Sequence, residues 1–216
     1  MESEKLWRYA LLLSVITIVY NIIEGVISVA FGYSDETLSL FGFGLDSFVE
    51  VISGVGVLHM VIRIRLDAES RDRFEKTALR ITGTAFYLLT AGLTATAGYN
   101  IYHRSTPDST IPGIVIALVS LLSMIVLMKG KLHVGKKLQS DSIIADANCT
   151  KTCIYLSVVL LSASVLFELF HLMFIDSIGG LGIAYFAFKE GREAFAKAAG
   201  GTCSCSGKNE CTSTEK

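Results

Sequence analysis

Charge and proline are what this chain has least of. Only 18% of its 216 residues are Asp, Glu, Lys or Arg, where a soluble domain averages about a quarter. That density cannot cover a water-facing surface, so an ordinary soluble domain is excluded as the main body of the chain. The two prolines interrupt no long apolar run, and the helical pattern stays unbroken. A formal net charge of -1 argues against nucleic acid as a partner, and what matters is where the charges sit. The five cysteines are an odd count, two in an apolar stretch and three at the end of the chain. They make no disulfide framework and fit a reducing cytosol.

What is present is apolar length. A spanning helix needs about 20 predominantly apolar residues, and six segments qualify: 7–31, 38–64, 78–102, 111–128, 142–167 and 172–188. The last is the shortest and carries Asp176 near its start. The first is too long for a cleaved leader and contains Asn21 and Glu24. Basic residues crowd the second and fourth connections and the stretch after the sixth span, among them Arg63, Arg73, Lys131, Lys136, Lys189 and Arg192. Positive residues stay cytoplasmic, so both termini are predicted to be cytoplasmic. The reading is an all-α integral membrane protein of six transmembrane helices, a domain over 1–200 whose sixth helix extends into the cytoplasm. A flexible cysteine-containing tail follows over 201–216.

Ionisable groups deep in an apolar helix are expensive and usually functional. The second span carries Asp46 and Glu50, and the fifth carries Cys149 and Cys153; each pair is four apart, one turn on one helix face. With spans of opposite direction and about 1.5 Å of rise per residue, Asp46 is expected level with Cys153, and Glu50 with Cys149. Two carboxylates and two thiolates suit tetrahedral Zn²⁺. The thiolates shift preference toward Cd²⁺ or a softer ion such as Hg²⁺. Calcium or magnesium would want oxygen alone. The bland alternative, cysteines as small buried hydrophobes, leaves the two carboxylates unexplained.

These motifs resemble those of the cation diffusion facilitator family. Asp46-Ser-Phe-Val-Glu50 is similar to the family's second-helix Asp-x-x-x-Asp. Ala145-Asp146-Ala-Asn-Cys149-Thr-Lys-Thr-Cys153 is similar to its fifth-helix Ala-Asp-x-x-His-x-x-x-Asp. Asn21-x-x-Glu24-Gly25 and Phe174-Ile-Asp-Ser-Ile178 also match family patterns. The resemblance implies a six-helix bundle in a cell membrane that exports divalent metal by proton exchange, often as a homodimer. It places the metal on Asp46, Glu50, Cys149 and Cys153. Glu in place of the second Asp, and Cys in place of His and Asp, point toward softer metals. The twenty or so residues after the sixth helix are too few for the family's usual cytoplasmic domain.

The implied partners are the bilayer, the transported cation and protons; no fixed cofactor and no enzymatic chemistry are expected. Metal displaces protons from thiols and carboxylates, so loading from inside would release them. Several residues keep two readings. Lys151 forms a buried ion pair, with Glu24 as one candidate, or offsets the negative charge of the ligands. Asp146 draws cations in or favours the helix start. Asn21 and Glu24 line an exit path or bond to neighbouring helices. Cys203, Cys205 and Cys211 capture soft metal or are simply solvated. Two rival functions stand beside export: a membrane thiol-redox protein using Cys149 and Cys153, and a metal sensor that moves nothing.

Overall fold

In the computed structural model, residues 2–35, 37–63, 68–103, 106–138, 141–172 and 174–199 are described. They form six helices in order: α1 (Glu2–Ser34), α2 (Leu38–Arg63), α3 (Ala68–His103), α4 (Ile111–Leu138), α5 (Asp141–Phe170) and α6 (Phe174–Ala198). No strand occurs among the described residues. By length and apolar composition alone, three described stretches suffice to cross a membrane: Lys5–Ser34, Ile111–Leu138 and Thr150–Phe170. The helices α4 and α6 run well past the apolar spans read from sequence. The sixth begins at Phe174 rather than Leu172, because the chain turns at His171, whose φ is 48°. That left-handed residue ends α5 in the way such residues commonly end helices.

Neighbours in the bundle are α1 with α2 and α4, α4 with α5, α5 with α6, α6 with α3, and α3 with α2. The second helix also reaches α5 and α6, which makes it the central element. Its Leu38, Leu40, Phe43 and Val49 pack with Phe86, Leu89 and Leu93 of α3, Leu156 and Leu160 of α5, and Ile183 of α6. The opposite face of α1 leaves Leu12, Val15, Val19, Ile23 and Val26 exposed, an apolar stripe suited to lipid contact.

Two features fix α2 against its neighbours. Glycine lets α1 approach closely: a Cβ on Gly44 would fall 2.7 Å from the Val29 backbone nitrogen and 2.8 Å from Ser28 Cβ. Small residues at such crossings are how membrane helices pack without a hydrophobic drive. The second feature is Asp176, buried at the start of α6. It accepts the backbone N–H groups of Leu38 at 2.7 Å and Ser39 at 3.1 Å, and the Ser39 hydroxyl bonds it as well. The first amides of a helix have no partner of their own and carry partial positive charge. Asp176 therefore serves as the cap of α2, and its presence in an apolar segment is structural. Glu168 of α5 does the same at the start of α4, taking the Thr110 N–H at 3.0 Å and its hydroxyl at 2.9 Å.

Candidate metal centre

The close α1–α2 contact and the α2–α5 contact converge on one cavity of about 70 Å³. Asp46 and Glu50 reach it from α2 and Cys153 from α5. All three side chains sit deep in apolar helices, and Asp46 and Cys153 are 3% and 8% exposed. The Cys153 thiol is in contact with Glu50 Oε1. Asn21 Nδ2 of α1 donates to the other oxygen, Oε2, at 2.8 Å. The Glu50 carboxylate is thus held from one side with an oxygen turned to the sulfur.

The sequence puts Asp46 level with Cys153 and Glu50 level with Cys149. Asp46 and Cys153 do line one cavity, and Glu50 reaches Cys153 as well, a contact those levels do not predict. Counted from Leu38, Glu50 lies 12 residues along α2, whereas Cys153 lies 17 residues back from Phe170 along α5. At about 1.5 Å per residue, α5 therefore projects about 8 Å further than α2. Cys149 and Asp146 belong to α5, but their side chains lie outside the described residues. The tail cysteines Cys203, Cys205 and Cys211 also lie outside them.

As the side chains stand, no three of the described Cys, His, Asp and Glu residues are grouped closely enough to hold a metal ion, but two carboxylates and one thiol line a common cavity. Asp46 Oδ1 is buried with no hydrogen-bond partner, a lone-pair site turned away from water beside a carboxylate and a thiol. An unpaired buried acceptor is costly, and a cation would satisfy it. One sulfur beside two carboxylates is chemistry that Ca²⁺ and Mg²⁺ sites, built from oxygen alone, do not use.

Sequence reasoning missed two charged residues of this cavity. Lys131, assigned to a cytoplasmic connection, is 3% exposed in α4 and lines the cavity. Its Nζ lies 3.4 Å from Thr150 Oγ1, and its charge acts on both Glu50 and Cys153. Glu190 of α6 lines the same cavity, accepts the Thr152 hydroxyl at 2.8 Å, and acts on Asp46 and Glu50. The spacing of Ala117, Ser120, Met124, Leu127 and Lys131, all buried on α4, was the available signal. These positions repeat at three and four and share one face.

Lys131 is the lysine among the described residues that lines the cavity. Lys151 is half-buried and does not line it. Nor does the ion-pair candidate hold: the bonding partners of Glu24 are hydroxyls, Tyr20 at 2.9 Å and Ser47 at 3.1 Å. Asn21 bonds to the neighbouring helix, as one of its two readings had it.

Residues 14–200 match the family described as the cation efflux transmembrane domain. An uncharacterized transporter of Methanocaldococcus jannaschii is 27% identical over 175 residues, covering 79% of this chain and 62% of that protein. The chain thus spans less than two thirds of that relative's length. Several helices are apolar and long enough to cross a bilayer, and the match runs over most of the sequence. The protein is a multi-pass membrane protein and belongs to the cation efflux transmembrane-domain family.

Proposed function

We propose that this protein exports a soft divalent metal cation from the cytoplasm, Zn²⁺ or Cd²⁺ and by extension Hg²⁺, in exchange for protons. Asp46, Glu50 and Cys153 bind the cargo, and Cys149, one turn nearer the cytoplasm on α5, supplies a fourth donor. All six helices cross the membrane, with both termini on the cytoplasmic side.

The observation that carries this reading is the contact between Cys153 of α5 and Glu50 of α2 inside a buried cavity. Two helices far apart in sequence bring a thiol and a carboxylate together at the wall of that cavity, although the Cys153 side chain also packs against Met124 and Leu127. A membrane thiol oxidoreductase would want an accessible, activated thiol, whereas Cys153 is buried against a carboxylate. Binding metal requires thiolate and carboxylate, so it expels protons, and proton entry from outside expels metal.

Proteoliposomes containing the purified chain test the proposal. With Zn²⁺ or Cd²⁺ on the cytoplasmic face and an opposing proton gradient, metal should move, and Cys153→Ser should abolish most of the flux. Binding without movement would support the sensor. Flux indifferent to the pH gradient would reject proton exchange.

A further inference from the structure

One buried ionisable group of α1 is not used by the metal cavity. Glu24, one turn outward from Asn21, is 6% exposed. Hydroxyls surround it from two helices besides its own. Tyr20 donates to Oε1 at 2.9 Å, Ser47 of α2 lies 3.1 Å from Oε2, and the Ser120 hydroxyl of α4 stands nearby. No cationic side chain bonds it among the described residues. An anionic carboxylate inside a bilayer is costly; hydroxyl donors offset part of that cost, and a cation nearby would offset more.

The surroundings supply both a coupling and a route. The titratable groups that face Glu24 are Tyr20 on α1 and Asp46 and Glu50 on α2, and Glu24 acts electrostatically on both of those carboxylates. From α4 come only hydroxyls, Ser120 on Glu24 and Ser123 on Tyr20. Lys131 stands further inward on the same helix. Toward the metal cavity, Ser157 Oγ is 3.0 Å from Ser120 Oγ and 2.9 Å from the Cys153 carbonyl. Toward the outer end, one turn beyond Glu24 on its own face, Ser28 is fully buried and its hydroxyl has no partner.

We propose that Glu24 is a proton-exchange site distinct from the metal ligands. It yields its proton to the cytoplasmic side when a divalent cation enters the Asp46/Glu50/Cys153 cavity, and takes one from the outer side as the cation leaves. The two positive charges of the cargo stabilise the Glu24 anion through a low-dielectric interior. By linkage, protonating Glu24 weakens metal binding to the same degree. The exchange then has a proton carrier that never competes for a ligand position. This rests on the reading of the cavity as a metal site coupled to protons.

The test adds Cd²⁺ to the purified full chain in weak buffer and follows thiolate-to-cadmium absorbance and proton release together. Wild type, Glu24→Gln and Glu24→Asp should all show the thiolate band. Wild type and Glu24→Asp should release about one more proton per metal than Glu24→Gln. In proteoliposomes, Cd²⁺ flux through Glu24→Gln should respond less steeply to the pH gradient than wild type, because the ligands' own protons still exchange with metal. Equal proton counts with the band present would overturn the role of Glu24 alone. Wild type without the band would overturn the metal site itself. Should Glu24→Gln fail to fold, infrared difference spectra of wild type decide the matter. Cd²⁺ should bleach a protonated-carboxyl band that shifts in Glu24→Asp, and a band unmoved by that substitution overturns the proposal.

Discussion

Replacing Asn21 with leucine, a residue of nearly the same shape, takes one hydrogen-bond donor from the metal cavity. In the native protein Nδ2 holds Glu50 Oε2 at 2.8 Å, which turns the other carboxylate oxygen toward Cys153. A buried hydrogen bond to a charged group contributes about 1.5–3 kcal/mol. At about 1.4 kcal/mol per decade this becomes roughly a 10- to 100-fold loss of metal affinity. Groups that orient metal ligands from behind typically show the same range. Asn21→Leu should not unfold the protein, because the Asn21 Oδ1 that it removes is a buried acceptor without a partner. The assay is Cd²⁺ titration against a competing chelator, read by the thiolate absorbance, with the melting temperature measured beside it. An affinity within twofold of wild type, at an unchanged melting temperature, would refute the claim that Asn21 positions Glu50.

Other substitutions test other parts of the account. Asp176→Asn keeps the side-chain shape but removes the charge that caps α2. It should lower stability by about 1–3 kcal/mol, read as a fall in melting temperature in detergent. Gly44→Val should force α1 and α2 apart, since its side chain would meet the Val29 backbone. Overpacking of this kind costs about 1–3 kcal/mol, and metal affinity should fall with it because Asn21 leaves Glu50. Metal affinity of the wild type should rise with pH across the neutral range, because protons and metal compete for the same sulfur and oxygen atoms. A pH-independent affinity from a direct titration would contradict thiolate ligation.

The outline of the fold was legible because it rests on one strong signal. Apolar runs of spanning length separated by charged connections yield six helices, and the described structure has six in that order. Asp46, Glu50 and Cys153 were legible for the same reason, since an ionisable side chain at such depth needs an explanation. Their pairing was not, because sequence spacing measures distance along a helix but not the relative height of two helices. Lys131 and Glu190 were lost at the edges of apolar runs, where charge was taken to mean solvent. Both helices continue past those edges and turn the two residues inward. Asp176 looked like a weakness in the sixth span. Its purpose depends on two amides some 137 positions away in sequence, a relation that only the packed structure displays.

X-ray absorption at the zinc edge of the metal-loaded protein tests the central claim most directly. The account predicts a mixed first shell with sulfur at about 2.3 Å and oxygen at about 2.0–2.2 Å, and a smaller sulfur contribution in Cys153→Ser. A shell without sulfur, or one that Cys153→Ser leaves unchanged, would contradict it.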